Sequence, residues 1–205
     1  MNLFLVVLLT ISGFSYTQTQ TVTIGNQVWT TKNLDVDRFR NGDTIAHAKT
    51  VGEWNAYGQA AEPAWCYYDN DEANGAKYGK LYNWYALADP RGLAPIGYHL
   101  PTDGDWSTLI TYLGGEDIAG AKMKSKEGWV ENGIGTNSSG FSGLPGGYRY
   151  DLGVFINIGY DADWWSVSGG NTYYAWSRFL VYKNGSVYRN YFYKQRGLSV
   201  RCIMD

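Results

Sequence analysis

Histidine and cysteine are almost missing from this chain, with two of each in 205 residues. His47 and His99 alone give a histidine-based zinc centre or a Ser-His-Asp triad almost no material. Charge is also scarce, at 18% of residues with a formal net of −2. That excludes the basic footprint of a nucleic-acid binder and the polybasic patch of a membrane-surface protein. No apolar run reaches the roughly 20 residues that a membrane-spanning helix needs.

The apolar run that does occur is short. Leu3 to Ile11 is hydrophobic, and small and polar residues follow to Gln20. This pattern predicts a signal peptide over residues 1–17, cleaved after Ser15 or Thr17, although the Met1-Asn2 start carries no Lys or Arg. The expected location is therefore secreted, periplasmic or at the cell surface, in association with the outer membrane. Cys66 and Cys202 are an even pair in an exported chain, which predicts a disulfide; two buried free thiols are the alternative.

What is abundant is glycine, 26 residues, and aromatic side chains, 17%. One loop-rich domain of α+β class over residues 21–205 follows, with small antiparallel sheets, two or three short helices and long Gly/Asn-rich loops. Val22, Ile24, Val28 and Trp29 around Gly25-Asn26 predict a hairpin. Residues 50–57 read as a short helix, 65–68 as a buried strand and 79–87 as a further short helix. Thr102 with Asp105 three residues on marks a capped helix start, with Trp106, Leu109, Ile110 and Leu113 as its apolar stripe and Gly114-Gly115 as its stop. Residues 116–125 add a shorter helix.

The stretch from Tyr160 to Asp205 is richest in Tyr and Trp. Asn184-Gly185 predicts a hairpin that sets Tyr182 opposite Val187, Arg178 opposite Tyr191 and Trp176 opposite Tyr193. A second turn at Gln195-Arg196-Gly197 predicts a third strand, with Phe192 opposite Val200 and Asn190 opposite Cys202. One face, Phe179, Phe192, Leu198, Val200 and Cys202, reads as core. The other gathers Trp176, Arg178, Tyr182, Arg189, Tyr191, Tyr193 and Arg201, with Tyr173 and Tyr174 at its rim. Tyr, Trp and Arg together are typical of recognition surfaces, and equally of cross-strand ladders that stabilise a sheet.

Other candidate chemistry is thin. The loop Asp69, Asn70, Asp71, Glu72 and Asn74 resembles half of a calcium loop, but position twelve falls on Leu81, so a weak Ca²⁺ site competes with a solvated turn. No other cofactor is implied. Asp161 and Asp163 flank an aromatic run without a visible catalytic partner. Asp103 and Asp105 are explained by capping and the helix dipole. No enzymatic activity is expected.

Several phrases occur together in order: IGNQVWTTKNL (24–34), YYDNDEANGAKYGKLYNWYAL (67–87), RGLAPIGYHLPTDGDW (91–106), NSSGFSGLPGGYR (137–149), WWS (164–166) and GLSVRC (197–202). They resemble the Fibrobacter succinogenes major paralogous domain, a family of exported bacterial proteins. The resemblance implies a C-type lectin-like fold, related to the formylglycine-generating enzyme domain. The cysteine pair that holds copper in those enzymes has no counterpart here, so that activity is not implied. Ala94 stands where members of the family often carry Cys, which leaves Cys66 and Cys202 as each other's only partners within the chain. The expected function is binding of a protein or glycan at the cell surface through the aromatic face; the alternative is a structural accessory subunit of an outer-membrane or surface assembly.

Overall fold

The computed structural model describes residues 19–131, 133 and 135–205; the leader expected over residues 1–17 lies outside them. A hairpin opens the described chain. β1 (Thr21–Ile24) and β2 (Gln27–Thr30) pair antiparallel around Gly25-Asn26, with Ile24 opposite Gln27. Gly25 takes φ 63°, the left-handed backbone that so tight a turn requires. β3 (Ala46–His47) leads into α1 (Val51–Ala60), which starts on a reciprocal cap between Thr50 and Glu53. β4 (Ala64–Cys66) lies between β3 and β5 (Leu81–Tyr82). α2 (Glu72–Tyr78) sits between β4 and β5 in sequence and is capped by Asp71; α3 (Trp84–Ala88) is capped by Asn83. The single helix expected over 79–87 is thus a strand followed by a helix. Tyr82 exchanges backbone hydrogen bonds with Leu198 at 2.9 and 3.1 Å, which holds it extended until Asn83 restarts a helix.

β6 (Tyr98–His99) precedes α4 (Asp103–Tyr112), where Thr102 and Asp105 form the expected reciprocal cap. α5 (Glu116–Met123) follows. Then come β7 (Tyr148–Arg149), β8 (Phe155–Ile156), β9 (Asp161–Gly169), β10 (Tyr174–Val181), β11 (Tyr188–Tyr193) and β12 (Ile203–Met204). The sheets run β1-β2-β12-β6, β11-β10-β9, β3-β4-β5 and β7-β8. All of these strand pairs are antiparallel except β3 with β4. The fold is α+β with small sheets, and five α-helices stand among the described residues where two or three were expected. No described helix is long and apolar enough to cross a membrane.

β9 organises the core. Successive strand residues point to opposite faces, so Trp164 and Trp165 enter two different clusters. Trp164 packs with Trp29, Trp106 and Phe141, and Trp165 with Tyr82, Leu198 and Val200. A third cluster gathers Trp54, Tyr68 and Leu81. Both β9 tryptophans are at most 1% exposed, and full burial of a large apolar side chain contributes about 1.5–3 kcal/mol. α5 closes over the β10–β11 loop at Gly120, where a Cβ would stand 2.5 Å from the Ser186 carbonyl oxygen.

The last residues close the fold, and here two expectations are corrected. The chain does turn at 194–196, but it then leaves β11. Leu198 pairs with Tyr82 and Ser199 with Trp164, while the carbonyls of Val200 and Cys202 accept from Leu34 and Thr30. Leu198, Val200 and Cys202 are buried as expected, in a cluster that Phe192 also packs against, but their backbone partners are not those of β11. The disulfide is absent. Cys66 lies in the Trp54 cluster and Cys202 in the Trp165 cluster, both as free buried thiols. Burial pushes each thiol pKa up to about 12, so neither is a reactive thiolate at neutral pH.

Candidate functional site

Three strands carry the candidate surface, with β11 outermost. β10 and β11 meet two residues off the expected register: Trp176 opposes Tyr191 and Arg178 opposes Arg189. The shift comes from a longer connection than a two-residue turn. Val187 N–H donates to Glu116 O at 2.7 Å and Ala121 N–H to Gly185 O at 3.0 Å, so the loop is pinned to α5. A two-residue shift leaves each side chain on its expected face. Trp176, Tyr191 and Tyr193 therefore do share a face, joined by Tyr174.

These rings form a continuous ridge. Tyr193 lies 4.5 Å from Tyr174, Tyr174 lies 5.4 Å from Tyr191, and Tyr191 lies 5.4 Å from Trp176 at 89°. The Arg189 guanidinium ends it, 3.4 Å above the Trp176 ring. Tyr173, Tyr191 and Tyr193 are 67%, 51% and 42% exposed. The Tyr174–Tyr191 and Tyr191–Trp176 pairs meet edge to face, at 76° and 89°, while Tyr174 and Tyr193 are tilted at 35°. The ridge thus presents ring edges and hydroxyls on a firm base.

Asp103, in the first turn of α4, fixes one end. Arg178 Nη1 donates to its Oδ1 at 2.7 Å, and Arg189 Nε and Nη2 donate to Oδ1 and Oδ2 at 3.0 Å each. Burial works against the charged carboxylate, but the hydrogen bonds from Arg189 and Arg178 outweigh it and hold its pKa below the ordinary range. Capping alone does not account for Asp103.

Arg178, Arg201 and Tyr182 are not members of an exposed ligand face. Arg178 is 1% exposed and is spent on Asp103 and Ser107. Arg201, expected beside Tyr191, is also 1% exposed. It donates to Thr30 O (2.6 Å), Asn33 Oδ1 (2.7 Å), Phe141 O (2.9 Å) and Ser142 O (3.1 Å). Burial pushes its pKa down to about 9, which leaves it charged at neutral pH. Tyr182 is half-buried against the Trp164 cluster, 5.2 Å from Tyr160.

The polar loop at 69–74 is engaged in folding. Asp71 accepts from Ala73 N–H at 2.9 Å, and Asn74 Nδ2 donates to Tyr68 O at 3.2 Å. Asp69 and Asn70 adopt left-handed backbones, and Glu72 opens α2. Among the described residues no three His, Cys, Asp or Glu side chains converge as a metal site. His99 Nδ1 meets Asp205 Oδ1 at 2.8 Å.

Half-buried Asn33 went unnoticed in the sequence, and the burial of Asp163, weighed there only as a possible catalytic carboxylate, was not visible in it. Asn33 uses its whole amide: Nδ2 donates to Tyr78 O and Ser199 Oγ, while Oδ1 accepts from Trp164 Nε1 and Arg201 Nε, all within 3.1 Å. Asp163 is 3% exposed with no partner for Oδ2. Burial, with the neighbouring Asp161, raises its pKa well above the usual carboxylate value against the pull of Arg196. The folded state thus holds a proton that the unfolded chain releases, and stability falls as pH rises above the unfolded value. Asp163→Asn is expected to raise the melting temperature at neutral pH, with the gain shrinking as pH falls toward about 4. Thermal melts across that range check it.

Away from the ridge, an open cleft of about 600 Å³ is lined by Thr30, Lys32, Leu34, Pro95 and Tyr98 among others. It shares no residue with the ridge. The family model described as the Fibrobacter succinogenes major domain matches residues 22–204. No curated protein and no solved structure matches the chain.

Proposed function

The chain belongs to the Fibrobacter succinogenes major domain family, and we propose that it is an exported, non-catalytic binding domain that grips a macromolecular surface with the ridge of Tyr173, Tyr174, Trp176, Arg189, Tyr191 and Tyr193. The observation that carries this reading is the unbroken run of rings from Tyr193 to Trp176, exposed at Tyr191 and Tyr193 and half-buried at Tyr174 and Trp176, with Arg189 at its end. Large rigid aromatics with polar tips lose little conformational entropy on contact. Two of the three ring pairs are set edge to face, which makes a ridged surface that suits a protein partner better than the flat ring face on which a sugar stacks; a glycan is the alternative outcome. Export rests on the apolar stretch from Leu3 to Ile11. The finer fold reading, C-type lectin-like, rests on the resemblance, and is supported by the first and last described strands sharing the sheet β1-β2-β12-β6.

The test is the double variant Tyr191→Ala with Tyr193→Ala. A central aromatic anchor contributes about 2 kcal/mol or more, so capture of the partner from cell-surface extract should drop at least roughly 30-fold. Melting should change little, because both rings are exposed. A parallel glycan array separates a sugar ligand from a protein one. Unchanged capture contradicts the proposal, and a large loss of stability in the variant would mark the ridge as a structural ladder.

A further inference from the structure

β11 is an outer strand with an open edge. Among the described residues it pairs with β10 and with no other strand. Every residue from Tyr188 to Tyr193 except Phe192 is exposed. The Tyr191 N–H is met by the side chain of its own neighbour, Asn190 Oδ1 at 2.8 Å. A strand amide answered in this way marks a donor turned toward the open edge, where a carbonyl of an added strand would take the place of Asn190.

Natural edges are protected by Lys, Pro, bulges or inward charges. The sequence YRNYFY has no Lys, Pro or Gly. Its one charge, Arg189, is already paired with Asp103 and stacked on Trp176, so two copies brought edge to edge do not meet as uncompensated like charges.

We propose that β11 of one chain pairs antiparallel with β11 of a second copy, about a two-fold axis at Tyr191, joining two three-stranded sheets into one of six strands. The pairing is self-complementary, as a two-fold interface must be. With Tyr191 opposite itself, Arg189 comes opposite Tyr193 of the second copy and Asn190 opposite Phe192, while the Arg189 guanidinium keeps its own partners Asp103 and Trp176. This register keeps like faces together, so the two ridges run on across the junction as one surface of doubled length. The interface combines main-chain pairing of the five residues 189–193 of each strand with the exposed rings of Tyr191 and Tyr193. That is near or below the small end of stable interfaces, about 1,200 Å², so the dimer is reversible.

The dimer requires no ligand, so its test stands apart from the binding reading. Sedimentation velocity of the purified chain over a concentration series should show a monomer–dimer equilibrium. Tyr191→Lys sets two ammonium groups across the axis and should give a monomer at every concentration with an unchanged melting temperature. Register is read independently by spin labels on Tyr191→Cys and, as a control, on the exposed Tyr112→Cys; the native thiols are buried and leave the label to the new site. Close label–label approach is expected at position 191 and not at 112. A wild-type chain that stays monomeric, a dimer that survives Tyr191→Lys, or approach at 112 instead overturns the proposal.

Discussion

Arg201→Met is expected to lower stability by about 3–5 kcal/mol, as removal of one side of a buried charged network does. That is a large part of the 5–15 kcal/mol that holds a typical domain together. The guanidinium is fully buried without a carboxylate; carbonyls carry its charge. Met has similar bulk but leaves the oxygens of Thr30, Phe141 and Ser142, and Asn33 Oδ1, without this donor. Each buried acceptor so orphaned costs about 1–3 kcal/mol before relaxation. Arg189→Met, at a pair whose arginine side chain is 38% exposed, should cost less than about 1 kcal/mol. Denaturant midpoints of the two variants, read together, check both figures.

Trp164→Ala is expected to cost a further-reaching 3–5 kcal/mol, roughly the range for deleting a large buried aromatic. The side chain is 1% exposed and meets Phe141 at 5.4 Å and Trp106 at 6.0 Å. Its Nε1–H also donates to Asn33 Oδ1 at 2.9 Å. The change therefore opens a cavity in one core and frees an acceptor in the network around Arg201. The two sites share Asn33, so the double variant should lose less than the sum of the singles. Equilibrium unfolding of the three proteins measures that coupling; strict additivity would mean that the shared amide transmits nothing.

Local signals carried the sequence reading where it succeeded. The Gly25-Asn26 hairpin, the Thr50 helix start and the Thr102/Asp105 cap all depend on residues within four positions of one another. β9 escaped because a strand buried on both faces shows no alternation, and its tryptophans sit between Asp163 and Ser166. In the last strand, alternation showed that Leu198, Val200 and Cys202 turn inward, but it carries no information about which neighbour they meet. Arg201 misled for the same reason. Its alternate position placed it outside, whereas a carbonyl cage from Thr30, Phe141 and Ser142 receives it inside. Such a cage is assembled from a strand end and a loop about 170 and 60 residues away in sequence and leaves no trace near the arginine. The ridge was half legible: Trp176, Tyr191 and Tyr193 do share one face, whereas Arg178, Arg201 and Tyr182, assigned to it as well, are drawn into the interior.

The measurement that bears most directly on the ridge as a binding surface is an oxidative footprint of aromatic side chains, taken with and without the captured partner. Protection is expected at Tyr173, Tyr191 and Tyr193, with Tyr112 and Tyr160, 65% and 44% exposed elsewhere on the protein, labelled equally in both states. Protection at Tyr98 beside the cleft, with the three ridge tyrosines still fully labelled, would contradict it.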